Sequence, residues 1–501
     1  MPRIVLALVL ALLFAPTAHA HERELPLGSP SLHETRTTDV LAPGVSYTKI
    51  VRGELSPRDG WAVDVLVTAP RADADAAAAR VRAAGFDASV DALPGPPDAH
   101  RFGAFAFRVR SGLFGTRAQA DARGAAIVAA GQPVRGSVFT AEDGGRTSGP
   151  WVVHVLSVEP WAYRRVAPAL ANDVVVDREL LSALSARRGA LAGINGGYFV
   201  IGTADGTPGD LAGSSVLDGQ VVSEAVDGRT DLILDSNRAS IGALSDAAAV
   251  FASDGAAREL DGFNRAPGLI RACGGTGGDL PTESPLHDIT CTDPSELIRF
   301  APVFGAPTPS GPGVEAVLDR TGAVVSVREP RGGPIPAGGS VLAGTGDAAD
   351  WLRAHARHAR FAVRTSLRGA RLDPGLSVIN GGPRLLRNGH DDITAAAEGF
   401  DHPGDPGFFY AFAVRRNPRT IAGVGSDGRL ILVAVDGRAP GFSAGLNFDE
   451  EAAVMSSLGA RDAVNLDGGG STTMTIRGTV VTRPSDATGE RPIGDAVLIG
   501  R

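Results

Sequence analysis

Three apolar stretches of this chain end in asparagine or aspartate followed by paired or tripled glycine, and that recurrence constrains the fold more than any other feature. The longest reads Ala463-Val-Asn-Leu-Asp-Gly-Gly-Gly-Ser-Thr-Thr-Met474, and the others are Leu191-Ala-Gly-Ile-Asn-Gly-Gly-Tyr-Phe199 and Leu376-Ser-Val-Ile-Asn-Gly-Gly-Pro383. Glycine reaches positive φ without a Cβ penalty and lets main-chain N–H groups approach a ligand closely. A lone glycine run is as readily a tight turn capped by serine as a binding loop. Three of them at strand ends predict rigid strands that deliver their loops to a common rim. Asn195, Gly196, Asn380, Gly381, Asp467, Gly468, Gly469, Ser471 and Thr472 are therefore candidate donors and acceptors of one pocket.

Residues 1–20 combine a basic start at Arg3, an unbroken apolar run over 4–15 and the small-residue pattern Ala18-His-Ala20. That pattern predicts a secretory signal peptide cleaved after Ala20. The apolar run is too short to span a bilayer, no later stretch is long enough, and a lipoprotein cysteine is absent. The expectation is a soluble protein outside the cytoplasmic membrane. The formal net charge of −8 argues against nonspecific nucleic-acid binding. Lys49 is the only lysine, so a phosphate-cradling P-loop lysine is excluded from the main domain. The only cysteines, Cys273 and Cys291, bracket a loop rich in glycine, proline and acidic residues. In an exported protein such a pair predicts a disulfide staple, since zinc would require two more ligands from scattered histidines.

Residues 58–143 change character. Strand patterns at 61–68 and 87–92 flank an alanine-rich helix at 73–84 that Asp73 could cap. The order repeats with strands at 105–111 and 134–140 around a helix at 116–130. The second copy, Phe107-Arg-Val-Arg-Ser-Gly-Leu-Phe-Gly-Thr-Arg-Ala-Gln-Ala-Asp-Ala-Arg123, resembles the SPOR domain, a ferredoxin-like βαββαβ module whose family binds bacterial cell-wall glycan. A packing or spacer module is the alternative. Strand patterns at 44–53 and 151–158 lie on either side, so the unit reads as an insertion between two strands, with 142–150 as the return linker and 21–57 as the segment before it. Beyond residue 150 the pattern mixes helices at 180–188, 347–358 and 448–458 with hairpins at 314–328 and 420–435. The fold class expected is α+β, with mixed sheets beyond residue 150.

Over residues 150–501 the chain resembles the phosphodiester glycosidase family. The resemblance rests on blocks at 192–199, 377–389, 419–438 and 465–474, and on Arg483-Pro-Ser-Asp-Ala-Thr-Gly-Glu-Arg-Pro-Ile-Gly-Asp-Ala-Val497. It implies hydrolysis of a sugar 1-phosphodiester at the glycosidic carbon. A departing phosphomonoester is already a weak base, so the site must mainly bind the phosphate, position the sugar and deliver water or a carboxylate to the anomeric carbon. Asp467 and Glu490 are the leading carboxylate pair. Arg419 and Arg491 are the phosphate-binding candidates, because the guanidinium fork matches phosphate oxygens. Asn195 and Asn380 are assigned to sugar hydroxyls or phosphate, and Asp436-Gly-Arg438 adds an acceptor and a cation. Each has a plainer reading: Asp436-Gly as a turn, Glu490 and Arg491 as a surface ion pair, asparagine before glycine as local geometry.

Two motifs are decoys. Gly441-Phe-Ser443-Ala-Gly445 spells a nucleophile elbow, yet no histidine follows Ser443, so the Ser, acid, His order cannot be assembled. His355 and His358 share a helix face, but arginines at 353, 357 and 360 would repel a metal. No cofactor is expected, and clustered aspartates leave a divalent cation as an open alternative. Two other readings compete with the glycosidase: a phosphodiesterase that breaks the P–O bond, and a noncatalytic protein binding cell-wall glycan.

Overall fold

Alternating apolar residues build the centre of the molecule. In the strand Leu430–Val435, Ile431, Val433 and Val435 enter one core while Leu430, Leu432 and Ala434 enter another. A strand buried on both faces belongs in the middle of a layered structure. The computed structural model describes residues 23–94, 103–273, 277–282, 284–357, 359–402 and 404–501. The leader expected over residues 1–20 lies outside the described residues.

The central sheet has eight strands in the order Glu34–Ala42, Val45–Arg52, Trp151–Val158, Leu430–Val435, Arg419–Gly425, Ala460–Asn465, Arg384–Arg387 and His390–Asp391. Every neighbouring pair in it is antiparallel. One face is covered by the helix Phe448–Ser457 and the short helical segment 406–414. The other face packs on a second antiparallel sheet, ordered Thr479–Val480, Met474–Ile476, Ala192–Asn195, Asp495–Ile499 and Val166–Leu170. A third sheet carries Ser377–Ile379 at its centre. Helices lie outside the sheets and strands dominate, which is an α+β arrangement. Among the described residues, mixed pairing is confined to the sheet containing Gly262–Phe263, a strand that runs parallel to Leu297–Phe300. Hairpin connections account for the antiparallel remainder. Among the described residues no helix is long and apolar enough to cross a membrane.

Between the paired strands Val45–Arg52 and Trp151–Val158 the chain makes a separate four-stranded sheet. Its order is Ser89–Pro94, Ala104–Phe114, Trp61–Thr68 and Gly136–Phe139, with the helices Arg71–Ala83 and Arg117–Ala129 contributing to a core of its own. The second helix starts with a capping box between Thr116 and Gln119. The first does not use Asp73 as a cap: it begins after Pro70, whose fixed φ suits the entry, and Asp73 sits inside the first turn. There its charge still favours the helix dipole.

Candidate active site

The three glycine turns meet. Asn195 Nδ2 donates to the Asp467 carbonyl at 2.7 Å, and the Asp467 N–H donates to the Gly196 carbonyl at 3.2 Å. The Tyr198 N–H donates to Asn380 Oδ1 at 2.7 Å, while Asn465 Nδ2 donates to the Tyr198 hydroxyl at 2.7 Å and to the Gly382 carbonyl at 2.9 Å. The asparagines thus act as clips that hold three strand ends together. An added Cβ on Gly196 would come within 2.4 Å of Asp495 Oδ1, so that turn has room only for hydrogen.

Beside this junction lies a cavity of about 360 Å³ lined by Tyr198, Phe199, Phe408 and Phe412, by Arg271, Arg419, Arg438 and Arg491, and by His287, Asp288 and the run Asp467–Gly470. Arg438 spends Nε and Nη2 on Asn417 Oδ1, at 3.2 and 3.0 Å, and Arg491 spends Nε and Nη2 on Asp486, at 2.7 and 3.0 Å. The Nη1 groups of both are left without an acceptor among the described residues. Enclosure by protein, followed by the like charges of Arg419, Arg415 and Arg491, lowers the pKa of Arg438. Cations crowded in this way favour an anion between them. Arg491 also lies where a side chain on Gly470 would be, 2.1 Å from an added Cβ, so the glycine lets the guanidinium close on bare backbone.

Asp467 is partly open to this cavity. Desolvation pushes its carboxyl up to about 7, against the pull of the Ser471 hydroxyl and Arg491. Behind the Asn195 turn, buried Asp495 is pushed up to about 7 as well, by burial and then by the charge of Asp467, while Gly197 N–H donates to its Oδ1 at 2.9 Å. Its Oδ2 has no partner among the described residues.

Several candidates fall elsewhere, for identifiable reasons. Glu490 does not join Asp467: its two oxygens accept from the N–H and hydroxyl of Ser182, at 2.8 and 2.6 Å, at the start of the helix Leu181–Arg187. It serves the unpaired N–H groups of that helix end. Arg419 lines the cavity but is committed, with Nε on the Leu446 carbonyl at 3.0 Å and 2.9 Å from Glu451 Oε1, and its guanidinium 4.7 Å from the Phe448 ring centroid. Asn195 and Asn380 are fully occupied; Asn195 Oδ1 also accepts from the Thr420 hydroxyl at 2.7 Å and the Thr473 N–H at 3.1 Å. Gly381 sits against the Asn465 carbonyl, and Thr472 is buried 3.5 Å from the Thr420 hydroxyl. Asp436 is sealed within the sheets, its Oδ2 3.1 Å from His154 Nε2 and its Oδ1 accepting from Arg483 N–H at 2.7 Å. Of the residues singled out from the sequence, Asp467, Gly468, Gly469, Arg419 and Arg491 line the cavity, with Ser471 beside them, and Arg438 of the Asp436 turn joins them.

The decoys resolve simply. Buried Ser443 donates to the Asp436 carbonyl at 2.5 Å and accepts from Val152 N–H at 3.1 Å, which makes it a brace. His355 pairs with Asp254 at 2.7 Å, and His358 lies outside the described residues. The bridge Cys273–Cys291 is present, with the Cα atoms 5.7 Å apart. Sequence reasoning missed what that staple carries: Arg271, Ala272, His287 and Asp288 all reach the cavity lining from the stapled loop and its flank. It also missed Asp495, which is isolated in sequence; the Ile-Gly-Asp at the end of the 483–497 block was the available signal.

The chain matches the family described as phosphodiester glycosidase over residues 312–500 and the SPOR domain over residues 57–134. The block at 192–199 falls outside the first of these. The chain is 34% identical over 116 residues to N-acetylglucosamine-1-phosphodiester alpha-N-acetylglucosaminidase of Mus musculus, covering 23% of this chain and 22% of that one. The Homo sapiens protein of the same name is 33% identical over 115 residues. The chain therefore spans about a fifth of the length of these relatives. Among solved structures, a Burkholderia pseudomallei protein described as exported is 36% identical, superposes with a TM-score of 0.86, and is matched over 95% of this chain and 98% of its own.

Proposed function

Because residues 312–500 match the phosphodiester glycosidase family, we propose that the chain is a hydrolase that cleaves the glycosidic C–O bond of a sugar 1-phosphodiester. The observation that carries this reading is the meeting, in one cavity, of the free Nη1 groups of Arg438 and Arg491 with an aspartate pushed up to about 7. The arginines hold the phosphate, and the aromatic side chains Tyr198, Phe408 and Phe412 take the apolar face of the sugar. Asp467 in its ionised form takes a proton from water as the water oxygen bonds to the anomeric carbon. The C–O bond to phosphate breaks with its electron pair going to the phosphate oxygen, and a free sugar and a phosphomonoester leave. Arginine already offsets the phosphate charge, so no metal or organic cofactor is needed, and dialysis against a chelator should leave turnover unchanged.

The SPOR domain would hold the enzyme against cell-wall glycan after export, placing the substrate in cell-wall or extracellular polysaccharide. The test is turnover of an N-acetylglucosamine 1-phosphodiester in oxygen-18 water, with mass spectrometry of both products. Label in the sugar is expected. Label in the phosphate would move the reaction to the P–O bond, and absence of turnover with retained binding would leave a glycan-binding protein.

A further inference from the structure

Buried histidines in this molecule have a recognisable structural form, and His287 departs from it. His154 accepts or donates through both ring nitrogens, Nδ1 to the Tyr47 hydroxyl at 2.8 Å and Nε2 to Asp436 Oδ2 at 3.1 Å. His402 spends Nε2 on the His287 carbonyl at 2.5 Å. His287 is 6% exposed, and no hydrogen bond reaches its ring from the described residues; Nδ1 is wholly enclosed, which leaves Nε2 as the ring nitrogen that the cavity can reach. A core position does not ordinarily keep a polar ring atom unpaired.

The ring is nevertheless held firmly. Tyr198, Phe400 and Phe412 surround it with centroids at 4.3, 4.4 and 4.9 Å. The backbone N–H of His287 donates to the Gly399 carbonyl at 2.8 Å, and the Cys273–Cys291 bridge closes the loop that carries it. Burial, then the positive neighbours Arg229, Arg271 and His402, keep the imidazole far below its usual pKa and therefore neutral. A neutral imidazole offers one donor and one acceptor. It lines the cavity beside Phe412, whose ring stacks parallel to Phe408 within 7°. Arg438, Arg491 and Asp467 belong to the family-matched residues 312–500, whereas His287 lies outside them.

We propose that His287 is the specificity-determining residue of this cavity and hydrogen-bonds one hydroxyl of the sugar ring that packs against Phe412. The inference rests on the glycosidase reading of the cavity. Sugar choice is then set by the disulfide-stapled loop, and phosphate capture by the family-matched segment.

Calorimetric binding of a hexose 1-phosphate, and of its analogues lacking one ring hydroxyl at a time, tests this on the mature protein and on His287→Ala and His287→Gln. For the wild type, one analogue should bind about 10- to 100-fold more weakly than the parent. His287→Ala should lose the same factor on the parent and nothing further on that analogue, and His287→Gln should recover part of it. Affinity for inorganic phosphate should be unchanged in both variants. An equal loss on every analogue, no loss at all, or weakened inorganic phosphate binding would each overturn the assignment, the last by exposing a packing defect. Wild-type protein that labels the sugar with oxygen-18 while His287→Ala and wild type discriminate alike would sink this inference alone. Wild-type protein that binds inorganic phosphate but no hexose 1-phosphate would sink the glycosidase reading with it.

Discussion

Two aspartate–histidine neighbourhoods, both buried, are built to opposite rules. In the sheet interior, Asp436 and His154 bond to each other and hand every remaining contact onward: to Tyr47, to the Arg483 N–H, and through the Asp436 carbonyl to Ser443. In and behind the cavity, Asp495 leaves Oδ2 unpaired and His287 leaves Nδ1 unpaired, and Arg438 and Arg491 spend only Nε and Nη2 on partners among the described residues. Residue type and burial are the same in both places. Between these two places, the difference is that the hydrogen-bond partners close around the first and stay open at the second.

The largest expected effect comes from the cavity. Asp467→Asn should lower turnover by about 10³-fold, within the usual range for losing an acid–base group, with affinity for a hexose 1-phosphate nearly kept. Steady-state kinetics with parallel calorimetry would decide it, and a loss confined to affinity would erase the distinction drawn above. The interior predicts the reverse. His154→Ala should cost about 2–4 kcal/mol in urea unfolding, since it orphans two buried partners, yet leave turnover per folded molecule unchanged. A dead but fully stable His154→Ala protein would break the comparison.

A subtler test uses pH. The folded-state pKa of Asp495 is raised from 3.8 to about 7, so its contribution to stability is complete below pH 4 and lost as pH rises through 7. Asp495→Asn, which keeps an acceptor for the Gly197 N–H, should make the fall in unfolding free energy between pH 5 and pH 8 shallower by roughly 2 kcal/mol. Equal slopes for variant and wild type would show that the carboxyl is not enclosed as described. The smallest effect belongs to Glu490→Gln. Weakening one helix-end contact should cost about 0.5–1 kcal/mol in thermal or urea unfolding and spare turnover.

Local chemistry made part of this readable in advance. The Asn-Gly-Gly turns, the hairpin at Arg419–Gly425 and Leu430–Val435, and the Thr116 helix follow from backbone preferences and short-range patterning, which sequence displays directly. Side-chain destinations do not share that locality. Glu490 looked like half of a catalytic pair, but its partner Ser182 is 308 residues away in the chain. Arg419 looked free until Glu451 and Phe448, from the helix that follows the hairpin, enclosed it. His287 and Asp495 had no local pattern around them; tertiary folding alone makes them neighbours of the cavity. The cysteine pair announced a stapled loop without showing which residues it presents.

The four-stranded unit also bears on how the chain assembles. Arg52 and Trp151 face each other across the central sheet although about a hundred residues separate them. Within the unit, Trp61 pairs with Phe139, so its two ends emerge side by side. Once it closes on its own core, the effective loop between the flanking strands shrinks to about twenty residues, which lowers the entropic cost of joining them by roughly 1–1.5 kcal/mol. On a chain emerging from its N-terminus, the unit would fold first and act as a clamp that holds an early edge strand beside the partner that arrives later.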